Sequence, residues 1–114
     1  MHLPDYDGGS IVNLMSSISS SFGSKPKYKC LKDLPPRDLK TKNVVLIVLD
    51  GFGYDYLMEK GKGTVFEKHL KGKMTSVFPP TTGAAITTFN TGVAPQQHGI
   101  TGWFMNLKEV GDIT

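Results

Sequence analysis

The sequence predicts an α/β domain with a mainly parallel sheet flanked by helices, and three observations lead there. Residues Asn43 to Asp50 (NVVLIVLD) form an unbroken β-branched and aliphatic run that closes on an acid and then Gly51. An unbroken run, rather than an alternating one, signals a strand buried on both faces, as in a parallel sheet covered by helices. Ser10 followed by Ile11, Leu14, Met15 and Ile18 has the spacing of an amphipathic helix. From residue 44 onward the expected elements run strand, loop, helix, strand, loop, helix, which is the order of an α/β domain.

Taken in order, residues 10–22 are expected to form the first helix, with Ser10 as N-cap, Gly23 closing it and the apolar stripe facing a core. Residues 23–43 hold Pro26, the Pro35-Pro36 pair and several Lys and Ser, and read as an extended connection. Residues 1–43 are thus a helix and linker, and residues 44–114 a second unit. After the strand come an expected short helix over Tyr54–Lys60 and a helical turn within residues 65–70. Met74–Phe78 reads as a second strand stopped by Pro79-Pro80. Thr81 or Thr82 can cap a helix that Gly92 ends, and Ala94–Gly99 reads as a loop.

Composition narrows the function classes. At 114 residues the chain suits one domain at most, and its 39% apolar content can fill a modest core. The net charge is +3, and the Lys residues are dispersed with a single Arg, Arg37. That distribution fits a solvated surface better than a nucleic-acid footprint, which needs a denser basic stripe, so no nucleic-acid partner is expected. The one cysteine, Cys30, excludes an internal disulfide and a Cys-based zinc site, and it reads as a packed or idle thiol. No segment approaches the roughly 18 apolar residues of a membrane helix, and residues 1–10 lack a signal-peptide pattern. The expected location is therefore cytoplasmic, with no membrane partner.

Three candidates carry chemistry. Asp50 stands at the carboxyl end of the expected central strand, the edge where ligands bind in open α/β sheets. Gly51 lets the chain turn away sharply there. Asp50 reads equally as a ligand for a hard or borderline cation or as the cap of the following turn. Thr81-Thr82 lies at a helix start, where free N–H groups and the helix dipole attract anions, and a hydroxyl there could attack phosphorus if a metal lowered its pKa. On local sequence alone, plain N-capping is the favoured reading of these threonines. His98 is either a ligand or, more commonly, a structural histidine bonded to backbone, whereas His2 and His69 read as surface residues. Gly51-Phe52-Gly53 is no dinucleotide turn, because Tyr56 occupies the place of the third glycine. Gly72-Lys73 lacks the remaining parts of a P-loop.

Taken together, Val44–Tyr54 (VVLIVLDGFGY) and Phe78–Ile100 (FPPTTGAAITTFNTGVAPQQHGI) resemble the first two signature blocks of the type I phosphodiesterase/nucleotide pyrophosphatase family, in the alkaline phosphatase superfamily. The shared features are the strand ending in Asp50-Gly51, Phe78-Pro79, Thr82, Thr91-Gly92 and Pro95 to Gly99. The resemblance implies an alkaline-phosphatase-like sheet, mainly parallel and flanked by helices, with two divalent metal ions, usually Zn2+, at its carboxyl edge. It implies that Asp50 binds one metal and that Thr82 binds the same metal and attacks phosphorus, giving a covalent intermediate that water then hydrolyses. Thr81 is the competing nucleophile, and spacing from Phe78 and Thr91-Gly92 favours Thr82.

Two departures qualify the implied activity. Nucleotide pyrophosphatases often carry an Asn three residues after the nucleophile, and Ala85 stands there instead. After Thr82 the sequence offers only His98, Glu109 and Asp112 as further side-chain ligands, fewer than two roughly four-coordinate zinc ions need. The chain is accordingly expected to be the N-terminal portion of a phosphodiester or pyrophosphate hydrolase acting on a small phosphoester or nucleotide, inactive or nearly so alone and prone to associate through exposed sheet edges. A phosphomutase or phosphomonoesterase of the same superfamily is one alternative. A non-catalytic α/β module that binds a partner protein is the other.

Overall fold

The computed structural model describes residues 2–107 and the backbone of residues 112–113. Its elements are α1 (Ile11–Ser21), a 3-10 turn (Pro36–Leu39), α2 (Tyr54–Lys60), α3 (Val65–Lys68), α4 (Thr82–Thr91), α5 (Pro95–His98), β1 (Asn106–Leu107) and β2 (Asp112–Ile113).

The first helix forms as expected, and both of its ends are closed by side chains and glycine. Asn13 Oδ1 accepts from the Ser10 backbone N–H at 3.0 Å and from the Ser10 hydroxyl at 2.7 Å. At the other end, the Ser24 N–H bonds to the Ser19 carbonyl and the Gly23 N–H to the Ser20 carbonyl, a Schellman closure. The buried face is wider than the apolar stripe, because Asn13, Ser16 and Ser17 are buried beside Ile11, Val12 and Leu14. Asn13 is tolerated there because its amide is fully used: Nδ2 donates to the carbonyls of Tyr6 and Lys29, each at 2.8 Å.

The core gathers Ile11 and Val12 from α1, Val77 from the segment before α4, Ala84 from α4, and Ala94. Tyr6, Tyr28, Ala85 and Phe89 pack against it. The two segments meet through a single parallel bridge between Ser10 and Thr75. Its hydrogen bonds run from Ile11 N–H to the Thr75 carbonyl at 3.0 Å and from Thr75 N–H to the Gly9 carbonyl at 2.8 Å.

The helices α2 and α3 fall where the sequence places them, at 54–60 and within 65–70. The expected parallel sheet is not present among the described residues. Val44–Leu49 is not a strand, and Val45 and Ile47 stand 83% and 75% exposed. Strand preference is realised only when neighbouring strands take up the backbone hydrogen bonds and flanking layers cover the side chains. Among the described residues nothing lies alongside this run to do either. Met74–Phe78 likewise stays irregular apart from the Thr75 bridge, although Val77 is 2% exposed. The sheet present is the two-stranded antiparallel ladder β1–β2, with Asn106 opposite Ile113 and Leu107 opposite Asp112. Ala94–Gly99 also differs from expectation. Pro95 at the first helical position and a left-handed Gly99 turn it into one helical turn, α5, instead of a loop.

The fold is therefore a small, mostly helical arrangement with a large apolar surface. Its radius of gyration, 15.6 Å, exceeds the roughly 13 Å of a compact domain of this length, consistent with the outlying 44–49 run. No helix among the described residues is long and apolar enough to cross a membrane.

Candidate active site

The structure brings together Asp50 and Thr82, the two residues singled out from sequence. The Thr82 hydroxyl donates to Asp50 Oδ2 at 3.2 Å across 32 positions of chain. Each is delivered by a local device. Asp50 ends the apolar run, and Gly51 follows in the left-handed region at φ 73°, where a side chain would be strained. Nothing within 4 Å would meet a Cβ at Gly51, so the need for glycine there is conformational and not steric.

Thr82 is the first residue of α4, and Thr81 before it is the cap. Thr81 Oγ1 accepts from the Ala84 N–H at 3.3 Å and also bonds the Thr101 carbonyl at 3.3 Å. The two threonines thus divide the two functions the sequence left open. Thr81 closes the helix, and Thr82 turns its hydroxyl to the carboxylate. The N–H groups of Ala84 and Ala85 are taken by Thr81. Those of Thr82 and Gly83 have no protein acceptor among the described residues, so the positive end of the helix dipole opens beside the Thr82 hydroxyl.

Gly83 has a separate, steric reason to be glycine. A Cβ there would stand 2.9 Å from the Gly102 carbonyl oxygen, so the 101–104 segment crosses the helix start at backbone distance.

His98 is structural. Its Nδ1 accepts from the Ile100 N–H at 3.0 Å, which puts the neutral ring's proton on Nε2, 3.2 Å from Thr88 Oγ1. Both nitrogens are occupied, and burial pushes the imidazole pKa down more than the Ala84 backbone hydrogen bond raises it. His98 therefore staples the α5 turn and the following loop to buried Thr88 in the middle of α4. His2 and His69 are exposed, as expected. Glu109 lies outside the described residues, and of Asp112 only the backbone is described.

Asp50 and Thr82 offer two oxygen donors side by side, a carboxylate and a hydroxyl, which fits one side of a divalent cation's coordination shell. Among the described residues, no group of three or more His, Cys, Asp or Glu could hold a metal. The pair is open to solvent. Two clefts, of about 640 and 470 Å³, lie elsewhere and are not lined by either residue.

Sequence reasoning did not single out Tyr6 or Tyr28. Tyr6 Oη accepts from the Phe78 N–H at 3.1 Å, and Tyr28 Oη donates to Gln97 Oε1 at 2.8 Å. Partners roughly 70 positions away leave no local signal.

Comparison with known proteins gives one family. The family model for type I phosphodiesterase / nucleotide pyrophosphatase matches residues 44–112, more than half of the chain. No curated protein and no solved structure matches.

Proposed function

Because the chain belongs to the type I phosphodiesterase/nucleotide pyrophosphatase family, we propose that it is part of a metal-dependent hydrolase of phosphodiester or pyrophosphate bonds, with Thr82 as nucleophile and Asp50 as metal ligand. The observation that carries this reading is the hydrogen bond from Thr82 Oγ1 to Asp50 Oδ2. A solvent-open hydroxyl at the positive end of a helix, aligned by a carboxylate, is suited to attack a phosphorus held by the helix N–H groups.

In this reading Asp50 and Thr82 share one side of a divalent cation, Zn2+ being the ion the family favours. When bound, the cation supplies the positive charge that favours the alkoxide form of Thr82. Thr81 keeps the first turn of α4 closed, so that the N–H groups of Thr82 and Gly83 point at the phosphoryl oxygens. Ala85 offers those oxygens no donor, which favours a substrate recognised through its leaving group over one gripped at the phosphoryl centre. The remaining ligands come from outside the described residues, and the Val44–Leu49 run takes its place as a strand when partner strands flank it. The 114-residue chain by itself is then inactive or nearly so.

The test pairs a Zn2+ titration, followed at the Asp50 and Thr82 NMR resonances, with hydrolysis of bis-p-nitrophenyl phosphate. The expected result is saturable zinc-dependent shifts at both residues, absent in Asp50→Asn, with no measurable turnover. Zinc-dependent turnover abolished by Thr82→Ala would keep the nucleophile and overturn the inactivity. A folded monomer that shows neither zinc shifts nor turnover would refute the metal role and favour a non-catalytic module.

A further inference from the structure

Residues 1–43 lie outside the family match, yet they make close contacts with the segment that leads into Thr82. Thr75 is held from both sides. Its backbone pairs with Gly9 and Ile11, and its Oγ1 accepts from the Asp5 N–H at 2.9 Å and donates to the Gly9 carbonyl at 3.2 Å. Three residues later, the Phe78 N–H donates to Tyr6 Oη at 3.1 Å. Tyr6 is itself fixed. Its ring packs edge-to-face on Tyr28 with centroids 6.1 Å apart, and its carbonyl accepts from buried Asn13. The Tyr28 hydroxyl reaches Gln97 in α5, the turn whose His98 is bonded to Thr88 of α4.

From Phe78 the chain needs only Pro79, Pro80 and Thr81 to reach Thr82. Two prolines leave that stretch few backbone freedoms, so the placement of Phe78 is passed on to the start of α4. Asp50 has no comparable anchor. Its neighbours 44–49 and 51–53 are exposed or nearly so, and the Thr82 hydroxyl is its one side-chain partner among the described residues.

We propose that residues 5–31 form a clamp on Thr75–Phe78, and that Tyr6 is a positioning residue that fixes where Thr82 stands relative to Asp50. The inference rests on the reading of Thr82 and Asp50 as the reacting pair. Its physical content, transmission from Tyr6 to that pair, is measured without turnover or metal. Failure of the clamp and failure of the proposed chemistry are thereby distinguishable.

The test uses the full 114-residue chain. Tyr6→Phe keeps the ring against the core and removes only the acceptor for Phe78. Amide exchange at Phe78 is expected to rise roughly fivefold or more, while Leu57 in α2 is unchanged. The Thr82 Cβ resonance is expected to move in the direction it takes when its hydrogen bond to Asp50 is removed by Asp50→Ala. Thr75→Val deletes the two side-chain bonds of the same clamp without touching Tyr6, and it is expected to move Thr82 in the same direction. An unmoved Thr82 in both variants overturns the proposal. So does faster exchange that is equal at Phe78 and Leu57, since that would report general loosening and not transmission. If Tyr6→Phe fails to fold, Thr75→Val decides the outcome alone.

Discussion

His98→Ala tests whether the α5 turn is held on α4 by the imidazole. The substitution removes two hydrogen bonds, from the Ile100 N–H to Nδ1 and between Nε2 and Thr88 Oγ1. Each neutral bond contributes about 0.5–1.5 kcal/mol net, so the expected loss is about 1–3 kcal/mol, toward the upper end because Thr88 is fully buried. For a domain of this size that lowers Tm by roughly 5–20 °C, readable by circular dichroism at about pH 8, where the ring is neutral. The same pair of bonds sets a pH dependence. Burial holds the folded imidazole below its ordinary value, so between that value and the lower folded one the unfolded state binds more protons than the native state. The stability due to neutral His98 is complete above its ordinary pKa and is lost as pH falls through that window. In structural terms, a proton on Nδ1 would face the Ile100 N–H donor to donor. The wild type should therefore weaken from about pH 7 to pH 5 while His98→Ala changes less, and the gap between them should shrink. The hydrogen bond between Asp7 and Lys29 moves the carboxyl below and the amine above their ordinary values, both away from this range. A loss under about 0.5 kcal/mol at pH 8, or an equal pH slope in both proteins, would refute the assignment of His98 as a neutral staple.

Two other substitutions probe the site and its surroundings. Gly83→Ala gains helix propensity of up to about 1 kcal/mol, but its Cβ would press on the Gly102 carbonyl, which cannot rotate aside as a flexible side chain would. The expected net effect is a loss of about 1–2 kcal/mol in urea denaturation together with displaced resonances in residues 101–104, and a gain in stability would contradict the close approach. Val45→Lys with Ile47→Lys charges the most exposed part of the apolar run, where neither side chain is packed. Sedimentation should show concentration-dependent association of the wild type that the double variant lacks, with monomer stability changed by no more than about 0.5 kcal/mol. A wild type that stays monomeric across the range would show that this surface is not adhesive.

What was legible in the sequence was what the backbone decides locally. Ser10 and Gly23 bound a helix because a cap and a left-handed closure need only a few neighbouring residues. The same is true of Tyr54–Lys60 and of Thr81 and Gly92 at the two ends of α4. The Asp50–Thr82 pair was implied by the resemblance of two motif blocks to the family, although nothing local required them to touch. The strands at 44–50 and 74–78 failed for the opposite reason. Their residues have the right preference, but a strand is a relation between segments, and the described residues supply neither the lateral partners nor the covering layers. Tyr6 and Tyr28 were missed on the same ground. A tyrosine hydroxyl aimed at a backbone amide 72 positions away has no period or motif to betray it. His98 could have been resolved earlier only by knowing that Ile100 and Thr88 would occupy both ring nitrogens.

The Ser10–Thr75 bridge also has a consequence in time. Helix α1 is synthesised before the residues that cover its apolar face, Val77 and Ala84, which are encoded more than 60 positions later. At about 5–20 residues per second, roughly 3–13 seconds pass between the appearance of the helix and that of its cover. During that interval Ile11 and Val12 lack that cover, and Asn13 has its partners Tyr6 and Lys29 within reach but not the bridge. The N-terminal segment is therefore a docking element that must wait. Its capped ends favour the helical form, but an 11-residue helix is marginal in water until the strand-like segment arrives to cover it.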